Sequence, residues 1–168
     1  MQKKQIIIAL GLVALVGGWY AFRPERAFIN QTVNESLAPA VQQAGASTAP
    51  AIAAIASGAF HGVHHETMGT ATLYRRPDGT RVLRFTNFAT SNGPDVRIYL
   101  VAATDALDNA TVTQAGFIEL GPMKGNQGDQ NYDVPATVDL AKYRAVTVWC
   151  RRFGVNFATA PLTSTPNT

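Results

Sequence analysis

This 168-residue chain is poor in the residues that mark most reaction classes. It has one cysteine, Cys150, and three histidines crowded between His61 and His65, and 15% of its residues are charged. A lone cysteine excludes an internal disulfide framework and dithiol–disulfide exchange within the chain. No C-x-x-C-H occurs, so covalent attachment of a c-type haem is excluded. No G-x-S-x-G occurs, Ser57, Ser91 and Ser164 fall in loop contexts, and no pair of carboxylates is placed by a helix. The stretch GPMKGNQG has neither the spacing nor the strand-to-helix setting of a phosphate loop. Hydrolysis, acyl transfer and phosphoryl chemistry therefore find no support, and no enzymatic activity is expected.

Positive charge is also scarcer than the formal +3 suggests, because residues 58–168 carry ten Lys/Arg against nine Asp/Glu. The remaining excess comes from Lys3, Lys4, Arg23 and Arg26 near the N-terminus. No basic stripe interleaved with aromatics is present, which removes nucleic acid as a partner.

What the chain does contain begins with an uncharged run, Ile6 to Phe22, preceded by Lys3 and Lys4 and followed by Arg23. At about 1.5 Å rise per residue it sits at the lower edge of what spans a bilayer core. Trp19 and Tyr20 lie near its outer end, where amphipathic rings favour the interface. A cleaved signal needs small residues before the cut, and Val16-Gly17-Gly18 supplies only a fair site. An uncleaved anchor over residues 1–22 is the expectation, with the remainder on the extracytoplasmic side, periplasmic or extracellular. Membrane contact is then through this helix. The next stretch, 23–57, is rich in Ala, Gln, Ser and Pro, with Pro39 and Pro50 interrupting any long helix. It is expected to be a spacer, with a helix packed on the domain at Ile52–Ile55 as the alternative.

From residue 58 to 162 the texture changes to short β-branched and aromatic runs with turn signals between them. Thr70–Tyr74 and Arg81–Phe85 flank Asp78-Gly79, a hairpin signal. Val82 and Arg84 are expected on one face, Leu83 and Phe85 on the other. After Asn92-Gly93-Pro94, Val96, Ile98 and Leu100 share a face of the next strand. Phe117–Leu120 reads as a weaker strand, Gly121–Asn131 as a loop with Lys124 in solvent, and Tyr132–Val134, Val146–Cys150 and Val155–Ala158 as closing strands. No segment keeps a helical period. The expected fold is all-β: an antiparallel, jelly-roll-like β-sandwich preceded by a transmembrane helix and linker, with 163–168 as a tail.

Four segments in order, GAFHGVHHETMGTATLY, VLRFTNFATSNGPDVRIYL, ELGPMKGNQGDQNYDVP and VTVWCRRFGVNFATAPL, resemble the DM-thirteen domain family. The likeness covers residues 57–162 and implies a β-rich extracellular module with a role in electron transfer. The family's redox cysteine corresponds to Cys150 and its histidine, before a short T-x-G segment, to His65. The resemblance attaches no enzyme activity.

Taken on its own residues, Cys150 shares a strand face with Val146 and Val148, which argues for the core. A reactive thiol would need a cationic neighbour or a metal. His61 and His64 with Met68 are weaker metal candidates; in an extended chain His61 and His65 share a face. The blue-copper arrangement wants His and Met soon after the cysteine, and RRFGVNFATAPL supplies neither. Met68 and Met123 could serve a haem. No cofactor is demanded, and copper and haem stay open. Asp129, Asn131 and Asp133 alternate in a way that could hold an ion, although turn chemistry explains the loop without one and is the preferred reading. The expected function is a tethered redox module acting through Cys150 with a redox protein partner. A binding or scaffolding module of the envelope, with a structural cysteine, is the alternative. The two meet in one question: whether His65 comes within about 4 Å of Cys150.

Overall fold

Alternation along each strand sorts side chains between two layers in the computed structural model, which describes residues 2–22, 29–37 and 52–165. Arg23, Arg26, Pro39 and Pro50 lie outside those residues. Helix α1 runs Gln2–Phe22. The strands are β1 Thr32–Asn34, β2 Ala53–Ala59, β3 His61–Gly62, β4 Met68–Arg75, β5 Arg81–Ala89, β6 Val96–Val101, β7 Phe117–Pro122, β8 Gln127–Val134, β9 Ala145–Cys150, β10 Val155–Pro161 and β11 Thr163–Ser164, with helix α2 at Asn109–Ala115. One sheet has the order β1-β8-β5-β4-β2-β11 and faces a second of order β3-β10-β9-β6-β7. All pairings are antiparallel except β1 with β8.

The expected faces are the observed ones. Leu83 and Phe85 from β5, Val96, Ile98 and Leu100 from β6, and Val146, Val148 and Cys150 from β9 meet in one buried cluster between the sheets. Phe60, Phe85, Phe88 and Tyr132 add an aromatic knot, with Phe60 and Phe85 edge to face at 4.8 Å. Burial of large apolar side chains, about 25 cal/mol per Å², is the main favourable term for such a layer. The Asp78-Gly79 turn closes as expected: Arg76 N–H bonds Thr80 O at 2.8 Å, and Gly79 has φ 83°.

The outer face of the five-stranded sheet is also covered. Tyr99, Val101, Ala145 and Trp149 pack there with Ala106 and Val112 from α2 and the loop before it. This helix has too few residues to show a period. Its one local mark is Asp108, whose carboxylate accepts the Thr111 N–H at the N-cap.

Three expectations are corrected. The Gly-rich loop is mostly strand, because Gln127–Val134 hydrogen-bonds on two sides, to β5 and to β1. The Ile52–Ile55 helix alternative is not found, since β2 begins at Ala53 and pairs with β4. Thr32–Asn34, within the stretch read as spacer, is a strand on the edge of the larger sheet.

Candidate functional site

The histidine segment is held by a single carbonyl. The N–H groups of Val63, His64 and His65 all point to Phe157 O, at 2.9, 3.2 and 3.1 Å. The chain turns tightly enough that a Cβ on Gly62 would run into the His65 carbonyl oxygen, which requires glycine there. Thr67 Oγ1 donates to His65 O at 3.2 Å and meets Thr90 Oγ1 at 2.7 Å, tying the segment to the end of β5. The result is an open groove of about 1000 Å³, with His64, His65, Glu66 and Met68 on one wall and Thr90 and Asn92 on the other.

Each side chain in it has a defined state. His64 Nδ1 lies 2.9 Å from Asn156 O. A carbonyl can only accept, so Nδ1 carries a proton, and in the neutral form of the ring the lone pair is on Nε2. The His65 ring lies against Phe157 with centroids 3.9 Å apart. Burial and the neighbouring His64 hold its pKa below the usual histidine value, so it is neutral at pH 7. Met68 is 63% exposed, leaving its thioether open to a ligand.

The other predicted site residues lie elsewhere. His61, directly across from Thr159 on β10, turns to Asp105, with Nε2 to Oδ2 at 2.9 Å. Asp129 takes the Arg84 guanidinium at 2.6 Å, Asn131 Oδ1 accepts from the same arginine at 3.0 Å, and Asp133 faces Arg76 at 3.3 Å. Arginines thus stand where an ion would have to sit. Lys124, expected in solvent, pairs with Glu35 at 2.7 Å. Met123 packs against the core, away from Met68.

Cys150 is free and fully buried, inside the cluster between the sheets. Its cross-strand partner is Val155, two residues before Phe157, and Phe157 belongs to the same cluster. His65 thus touches Phe157, and Phe157 and Cys150 belong to the same core cluster. Among the described residues no three or more His, Cys, Asp or Glu side chains come together to hold a metal.

A family described as Electron transfer DM13 matches residues 59–162, well over half of the chain. The chain belongs to this DM13 family. The match runs from the last residue of β2 through β10 and leaves out β1, the rest of β2 and β11. Membership makes the domain an electron-transfer-related module and bears out the resemblance carried by the four sequence segments. No curated protein and no solved structure matches the chain.

Sequence reasoning picked out His64, His65 and Met68 but not what arranges them. Phe157 read only as part of a closing strand, and Thr67, Thr90 and Asn156 gave no signal, because their role depends on strands far apart in sequence.

Proposed function

We propose that this DM13 protein is a membrane-tethered, extracytoplasmic electron-transfer module whose redox group is received in the His64–His65 groove, with Cys150 contributing from the core side of Phe157. The observation that carries the reading is the tilted contact of the His65 ring with Phe157, centroids 3.9 Å apart, which sets the open groove against the cluster that also holds the thiol. The His64 Nε2 lone pair, the His65 imidazole and the Met68 thioether are donors suited to copper or to the axial positions of a haem. The tether is supported by α1, whose stretch Lys3–Tyr20 is apolar and long enough to cross a membrane. A fully buried thiol is closed to exchange with another thiol or to peroxide, so this role rests on electron passage alone.

The test uses the full chain in detergent, titrated separately with copper and with haem and followed by absorption. Saturation near one equivalent, lost in the His64→Ala and His65→Ala variants, supports the reading; a wild-type protein that takes up neither group overturns it. A second reading, a binding module of the envelope with a structural cysteine, is favoured by the complete burial of Cys150. It predicts that Cys150→Ala leaves the spectrum of any bound group unchanged.

A further inference from the structure

The Gly-rich segment between β7 and β8 is built to receive a strand. Its interior supports come from the domain itself. The fully buried Gln130 side chain donates to Gly125 O at 2.6 Å and accepts from Gly125 N–H at 3.3 Å. Tyr132 Oη donates to Gln130 Oε1 at 2.7 Å and accepts the Lys124 N–H at 3.2 Å. Asn126, 2% exposed, donates to Thr90 O at 3.0 Å. These groups fix the loop from behind, and what lies in front is backbone. A Cβ on Gly125 would strike Gln31 O, and one on Gly128 would strike Val33 O. Glycine is required at both because another main chain passes there.

That chain is β1 and its flanks. Thr32, Val33 and Asn34 lie beside Gln127, Gly128 and Asp129 in parallel register. Glu35 N–H donates to Asp129 O at 2.9 Å, and Gln127 N–H to Gln31 O at 3.2 Å. Asn126 Oδ1 accepts from Gln31 N–H at 2.7 Å. The Glu35 carboxylate is gripped by Lys124 Nζ at 2.7 and 3.0 Å and by Asn131 N–H at 2.7 Å, while its carbonyl takes Arg84 Nη1 at 2.8 Å. Val33 and Leu37 are half-buried, and the remaining attachments are hydrogen bonds and an ion pair, which suits a strand that docks and leaves rather than one that nucleates a core. All of the receiving groups fall within the DM13 match, and the strand falls outside it.

We propose that the outer edge of β8, with the Lys124–Asn126 loop, is a binding site for an extended peptide bearing a carboxylate, and that its resident ligand is residues 29–37 of the same chain, acting as a latch on the tether. Docked, only residues 23–28 separate α1 from the domain, a reach of at most about 20 Å. Released, the free stretch runs to β2 and reaches about 100 Å when extended. This consequence for reach rests on the anchor reading; the peptide site does not, although Asn30 of the same segment also lines the histidine groove.

The experiment uses the full chain in detergent with Glu35→Lys, which sets like charge against Lys124 and Arg84, and with Glu35→Pro, which removes the N–H donated to Asp129. In both, amide exchange at Gln127 and Asn131 should rise about tenfold or more while the β9 amides keep their protection. A fluorescent synthetic peptide of residues 29–37, read by anisotropy, should bind both variants about tenfold tighter than wild type, and the same peptide with Glu35→Lys should not bind. Unchanged exchange at Gln127 and Asn131, or a peptide that binds neither variant, overturns the proposal. Loss of β9 protection in both variants overturns it as well, since the strand would then be part of the core.

Discussion

Cys150 shows how far one residue type carries an argument. Its strand neighbours place the thiol on the inward face with Val146 and Val148, and the structure buries it completely there. Compartment and family made the thiol worth following, but its accessibility depends on packing that only the assembled sandwich reveals. On the opposite face of β9, Thr147 is also fully buried, and its hydroxyl has no hydrogen-bond partner among the described residues. Thr159, its cross-strand partner, is in the same condition. An unpaired buried hydroxyl costs about 1–3 kcal/mol of desolvation. Thr147→Val, which swaps the hydroxyl for a methyl of similar size, is therefore expected to stabilise the protein by about 1 kcal/mol. A denaturant midpoint that rises at unchanged slope is the measurement; a lower midpoint would mean that the hydroxyl is used.

At the scale of elements, what the sequence disclosed and what it hid follow from range. The hairpin around Asp78-Gly79 and the faces of β5, β6 and β9 were legible because alternation and turn chemistry are local. β1, the early start of β8 and α2 were not. The first two exist because distant strands pair, and α2 has a cap but too few residues for a period. The histidine segment sits between these cases: His64 and His65 were visible, but the Phe157 carbonyl that gathers their N–H groups was not. This segment also sets a pH dependence. His65 has its pKa lowered in the fold by burial and by His64, so the unfolded chain takes up a proton first as pH falls. Stability is full above the ordinary histidine value near 6.5 and is lost as pH drops from there through the lowered folded value. Melting temperature should fall more steeply below pH 6.5 in wild type than in His65→Phe. Parallel profiles for the two proteins would contradict this.

For the whole molecule, the two sheets divide the work. The five-stranded sheet carries Cys150 and Phe157, and the six-stranded sheet carries the edge on which residues 29–37 dock. The groove lies where the histidine segment meets the end of β5, and Asn30 from the docked segment also lines it. The chain combines an apolar N-terminal helix long enough to cross a membrane with a DM13 domain that carries this groove. The claim at the centre is that the groove seats a one-electron carrier through His64 and His65. Voltammetry of the full-length protein in detergent, loaded with copper or with haem, tests it most directly. A reversible one-electron wave is expected with at least one of the two groups, abolished in the His64→Ala/His65→Ala variant while the fold is retained. A wave that persists unchanged in that variant, or none in the wild type, would contradict it.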